Sequence, residues 1–225
     1  MDKIVSYSGF QIHPSSLLKG LYIKKAHQGA NPAEANVLFV GRDPNWAINI
    51  EEMPIFNLVT NYLTDGISFW KTYNVHHPFL LPGYKGDGKR YHTIFSKLKL
   101  ESKFSSQIAF VELIGFPTTG MSKKNNKAFQ NFLISELNRK HLIELHNLIN
   151  NPDKIIFIAW GLIDDFKFIH EKTSLFHKFS KLNKLEMNIS DLNQFGNIFI
   201  HKHFSDSISN QTIDKISEKL VDFLK

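Results

Sequence analysis

The chain has no cysteine. Disulfides, a thiolate nucleophile, cysteine-ligated zinc and iron–sulfur clusters are therefore excluded, and any metal would need His, Asp or Glu. No apolar run approaches the 18 residues of a membrane span. The first residues, Met1-Asp2-Lys3-Ile4, lack the basic and apolar regions of a secretory leader. A cytoplasmic protein without a membrane partner is the expectation. Low-complexity tracts and internal repeats are also missing.

What is present is apolar and basic. The 225 residues include 20 Phe, and 42% are hydrophobic, which argues against disorder. Lys and Arg number 27 against 21 Asp and Glu, a net charge of +6. That balance permits a polyanionic partner without requiring one. The length suits one domain, residues 1–225, and a monomer is expected.

Four short continuous apolar runs read as strands buried on both faces: 37–40, 108–111, 155–158 and 198–200. Helical spacing fills the gaps over residues 90–99, 125–150, 163–171 and 210–224, with an extra helix around Leu17, Leu18 and Leu21. The alternation predicts an α/β fold: three αβα layers around a central four-stranded parallel sheet. Asn151-Pro152-Asp153 reads as a turn.

In such folds ligands bind beyond the carboxyl ends of the strands. There the sequence places Gly41-Arg42-Asp43-Pro44-Asn45-Trp46, Glu112, Trp160-Gly161 and His201-Lys202-His203-Phe204-Ser205. An Asp and a His at two strand ends of one sheet can converge on one crevice. One group can then orient water while the other stabilises a leaving anion. Taken singly, Asp43 also suits a helix cap and His203 a loop.

Other candidates are weaker. Residues 83–90 match the glycine–lysine pattern of a phosphate loop, but Arg90 stands where Ser or Thr should bind Mg²⁺, and no strand precedes it. A mobile basic loop is expected, able to touch phosphates through Lys85, Lys89 and Arg90. Residues 74–90 form the longest irregular stretch, a length that is often functional. His76-His77 has no acidic partner at ligand spacing and reads as solvated, so no metal is expected. Asp164-Asp165 suits the positive end of a helix.

The strand-end residues resemble the uracil-DNA glycosylase superfamily. Its first motif, GQDPYH, is similar to Gly41-Arg42-Asp43-Pro44-Asn45-Trp46. Its LLWG strand end is similar to Ile158-Ala159-Trp160-Gly161. Its last motif, HPSPLS, is similar to His203-Phe204-Ser205-Asp206-Ser207-Ile208, and its GLAFS segment to Asp65-Gly66-Ile67-Ser68-Phe69. The order is kept from about Asn36 to Ser209.

The resemblance implies a DNA partner, no cofactor, and hydrolysis of the N-glycosidic bond of a base flipped out of the stack. Asp43 would position water at the sugar C1′ and stabilise positive charge there. A neutral His203 would donate to the pyrimidine O2 as the base leaves. Phe69 would stack on the base, with Trp46 and Phe56 as rivals. Ser205 would hold a phosphate and Ile208 would wedge into the vacated stack. No lysine stands at a matching strand end, so strand cleavage is not expected.

Two departures matter. The Tyr that excludes thymine in the strict uracil enzymes is replaced by the smaller Asn45. The base-reading Asn is replaced by Glu112. A carboxylate only accepts, which matches the cytosine N4 amino group, and a protonated Glu112 could also donate to N3. Both changes favour a 5-substituted cytosine, such as glucosylated hydroxymethylcytosine of phage DNA in an antiviral role. The alternatives are a uracil-DNA glycosylase of base-excision repair and a catalytically inactive DNA-binding protein of the same fold.

Overall fold

A computed structural model describes residues 9–225. The N-terminal tetrapeptide read for a leader lies outside them. In chain order the strands are β1 (Gln11–Ile12), β2 (Gln28–Gly29), β3 (Val37–Gly41), β4 (Ile108–Glu112), β5 (Thr118–Thr119), β6 (Ile155–Ala159), β7 (Asn193–Phe195) and β8 (Ile198–His201). The helices are α1 (Ser16–Lys24), α2 (Phe56–Thr64), α3 (Gly66–Tyr73), α4 (Lys89–Phe95), α5 (Asn126–Leu133), α6 (Glu136–Asn150), α7 (Leu162–Thr173), α8 (His177–Ser180) and α9 (Asn210–Leu224).

The four apolar runs are β3, β4, β6 and β8, and they pair in parallel in the order β4-β3-β6-β8. The sheet is larger than expected. The antiparallel strands β2 and β7 extend it at both edges to six. β1 and β5 form a separate two-stranded ribbon.

Because side chains alternate along a strand, each parallel strand serves two cores. Leu38, Val40, Ala109, Val111, Ile156 and Ile158 pack against α5, α6, α7 and α8. Val37, Phe39, Ile108, Phe110, Phe157 and Phe199 face α3, α4 and α9. A third cluster joins α1, α2 and α3 through Leu18, Tyr22, Val59, Tyr62 and Phe69.

One feature of the second core is periodic across the sheet rather than along it. Phe110, Phe39, Phe157 and Phe199 are register neighbours on consecutive strands. Their rings stack at 5.6, 4.9 and 5.2 Å between centroids.

Several expectations change. The 125–150 segment is two helices, because Ser135 adopts an extended backbone (φ −69°, ψ 153°) at the start of α6. His76 and His77 are buried rather than solvated. The loop before α4 is not free. Tyr84 stacks on Phe79 at 4.0 Å, its hydroxyl donates to the Asp87 carbonyl, and Lys89 Nζ donates to the Tyr84 carbonyl at 2.6 Å. A 3₁₀ turn at Pro78–Leu80 precedes it, not a buried strand. No helix among the described residues is long and apolar enough to cross a membrane.

Candidate active site

The chain runs from β3 to β4 on one side and from β6 to β8 on the other. The connections therefore diverge between β3 and β6, where such sheets open a crevice at their carboxyl ends. A cavity of about 20 Å³ lies there, lined by Phe39, Val40, Gly41, Tyr91, Phe157, Ala159, His201 and His203. That is room for roughly one water.

Asp43 follows β3. Its Oδ2 accepts from Thr118 Oγ1 at 3.1 Å. Burial raises the carboxyl above its ordinary range, and hydrogen bonds from Ser122 and Thr118 and the charge of Arg42 oppose that rise. The following loop is pinned to β5: Thr118 N–H donates to the Pro44 carbonyl at 3.0 Å, and Trp46 N–H donates to the Thr118 carbonyl at 2.9 Å. The Asn45 side-chain amide donates to the Gly120 carbonyl. Arg42 is turned to the opposite task. It forms a two-pronged pair with Asp165 at 2.9 and 3.0 Å and lies 4.1 Å over the Phe129 ring. Asp164 pairs with Lys184 at 2.6 Å.

Glu112 ends β4 directly beside Gly41. A Cβ on residue 41 would approach Glu112 Cγ to 3.2 Å, so the bare backbone makes room for this side chain. Glu112 Oε1 accepts from Gln28 Nε2 at 3.2 Å, whereas Oε2 is buried without a partner. Burial, reinforced by the charge of Asp43, pushes this carboxyl up to about 8. Glu112 is thus mostly a neutral acid at pH 7, with one O–H to give.

His203 follows β8. Its Nδ1 accepts the Ser205 backbone N–H at 3.1 Å, so a neutral ring carries its proton on Nε2. Burial lowers its affinity for a second proton; Asp206 opposes this and Lys123 adds to it. Asp43 and Glu112 act on each other electrostatically, and His203 lines the cavity beside Gly41, the neighbour of Glu112.

Other expected residues sit elsewhere. Trp46 is buried in the third core, donating from Nε1 to Tyr22 Oη at 3.1 Å. Phe69 is buried edge-on to Tyr62, on a helix capped by Asp65, which accepts from Ser68 N–H at 2.9 Å. Phe56 is half-buried beside the same cluster. Ile208 packs against the second core. Ser205 is half-buried and Arg90 is exposed.

Two residues went unnoticed in the sequence. Tyr91 lines the cavity from α4, its ring 5.3 Å from that of His203, and the Glu112 charge acts on its hydroxyl. Gln28 holds Glu112 from the edge strand. Neither lies at a carboxyl strand end, and no spacing rule marks them. Among the described residues, no group of three or more His, Asp or Glu side chains is arranged to hold a metal ion. No family model, curated protein or solved structure matches this chain.

Proposed function

We propose that this protein is a monofunctional DNA glycosylase that flips a 5-substituted cytosine out of DNA and hydrolyses its N-glycosidic bond, leaving an abasic site. The observation that carries the reading is that Asp43 and Glu112 stand at the ends of the adjacent strands β3 and β4 and His203 at the same edge after β8, beyond β6, with Glu112 held as a neutral acid and His203 as an Nε2 donor.

Asp43 accepts a hydrogen bond from water and directs it to C1′, and its charge stabilises the cationic sugar of the transition state. His203 donates from Nε2 to O2 as negative charge grows on the leaving base. A neutral His and a neutral Glu112 suit that task, since the departing anion meets O–H and N–H donors. Neutral Glu112 donates to N3 and accepts from the N4 amino group. Tyr91 is the ring best placed to stack on the base. The cavity holds about one water, so base entry requires its lining to rearrange, and Tyr91 is the lining residue that the short helix α4 contributes. Asn45, held on the Gly120 carbonyl, leaves the C5 side less obstructed than a Tyr would. Phage DNA with glucosylated hydroxymethylcytosine is a fitting substrate, and antiviral defence the fitting context.

Uracil is the second reading, for one reason. A neutral carboxylic acid can also donate to O4 and accept from N3–H if its proton sits on the other oxygen.

The test is base release from oligonucleotides holding uracil, hydroxymethylcytosine or its glucosylated form, with the freed base identified by mass spectrometry. Asp43→Asn should lower release at least about 100-fold while DNA affinity is kept. Tight binding with no freed base from any substrate would instead favour the inactive DNA-binding protein.

A further inference from the structure

The two oxygens of Glu112 have unequal surroundings. Oε1 accepts from Gln28 Nε2 at 3.2 Å, and Oε2 is buried with no partner. The same Gln28 nitrogen reaches Tyr22 Oη at 3.4 Å, and Trp46 Nε1 donates to that hydroxyl at 3.1 Å. An amide nitrogen carries two hydrogens, so one can serve each oxygen. Gln28 is buried, and on β2 it stands opposite Phe110, two residues before Glu112 and on the same face of the sheet. Its place is fixed by both the strand register and the Tyr22–Trp46 contact.

We propose that Gln28 is a positioning residue that fixes which oxygen of Glu112 carries the acid proton, and so sets the choice between 4-amino and 4-oxo pyrimidines. The inference rests on the glycosylase reading of the site. A proton on Oε1 would face the N–H of Gln28, so the proton resides on Oε2. Glu112 then presents a donor at Oε2 and an acceptor at Oε1. A 4-amino pyrimidine offers an acceptor at N3 beside a donor at N4. A 4-oxo pyrimidine offers the reverse. A carboxyl with a fixed proton fits one pattern and leaves the other with buried polar groups unpaired, the situation that yields large discrimination. Without the Gln28 donor, the proton is free to sit on either oxygen and both patterns fit.

Gln28→Met keeps the chain length and removes the donor, and Tyr22→Phe removes only the second anchor of the amide. Base release from hydroxymethylcytosine and uracil oligonucleotides gives a selectivity ratio for each protein. The ratio should narrow at least about tenfold in Gln28→Met and by less in Tyr22→Phe. Carbon-13 NMR of carboxyl-labelled glutamate in DNA-free protein gives the Glu112 titration directly. Its midpoint should rise from about 8 in Gln28→Met, because a donor to the ionised form is lost. An unchanged ratio in a variant that still excises bases, or an unchanged midpoint, overturns the proposal. If the wild-type protein frees no base, the glycosylase reading fails and the selectivity role fails with it. A moved midpoint would then still assign Gln28 as the group that orients Glu112.

Discussion

Glu112 links pH to stability and, on the proposed glycosylase reading, to base release. Its folded pKa of about 8 lies above the ordinary glutamate value of 4.5 because of burial and the charge of Asp43. The folded state therefore holds a proton there that the unfolded chain gives up above pH 4.5. Stability from this group is fully present below pH 4.5 and is lost as pH rises toward 8. Glu112→Gln removes the ionisation and should raise Tm at pH 9 by several degrees, on the order of 2–4 °C per kcal/mol for a chain of this size, with little gain at pH 5. Thermal melts at the two pH values check this. Release of a 5-substituted cytosine should fall on the alkaline side with a midpoint near 8, as the O–H of Glu112 is lost next to Asp43. A reading by ionised Glu112 alone would instead give a rate that climbs through that range.

At the scale of elements, the segment 76–92 is locked by a stack of histidines. His76 Nε2 and His92 Nδ1 are 3.0 Å apart, and the His77 and His92 rings stack at 3.5 Å. Burial holds His76 neutral down to about 3 and keeps His77 and His92 well below their usual range. Each folded pKa lies below 6.5, so stability from the stack is present above pH 6.5 and is lost as the pH falls. Unfolding at pH 5 should take up about three protons from these residues, measurable by calorimetry in buffers of different ionisation enthalpy. The Arg42–Asp165 pair ties the loop after β3 to α7. Arg42→Met should destabilise by about 3 kcal/mol, since a carboxylate is left in a partly buried site, and adding Asp165→Asn should recover much of that. Denaturant titration of the single and double variants separates the two.

These elements also mark what the sequence reveals. Continuous apolar runs identify β3, β4, β6 and β8, because a strand covered on both faces must be apolar throughout. The edge strands β2 and β7 carry polar side chains and are held by backbone pairing, which leaves no pattern to read. The strand-end rule locates Asp43, Glu112 and His203. It misses Tyr91 and Gln28, which reach the site from a helix and a sheet edge. The pair His76-His77 looks solvated in one dimension, and it is covered by residues distant in sequence: Trp70, Phe110 and α4 over His76, and Tyr62, Trp46 and His92 over His77. The helix read over 90–99 is found, shortened to Lys89–Phe95 with a 3₁₀ turn after it.

At the scale of the whole molecule, the sheet is a rigid floor beneath the site. Phe157 is fully buried in the middle of the four-ring row. Phe157→Ala should cost about 3–5 kcal/mol, read by denaturant unfolding, and should loosen the cavity that Phe157 lines. The net charge of +6 gives the proposed DNA complex a salt dependence. Affinity should drop about tenfold or more between 50 and 200 mM salt, a loss that fluorescence anisotropy would follow.

The contact between Trp46 and Tyr22 also gives the molecule an optical property. The indole N–H donates to the hydroxyl that Gln28 touches, and Gln28 touches Glu112. A charge appearing on Glu112 acts on Tyr22 and alters the field at the indole. The emission of Trp46 should therefore change as the pH rises through about 8, a shift that a fluorescence titration checks.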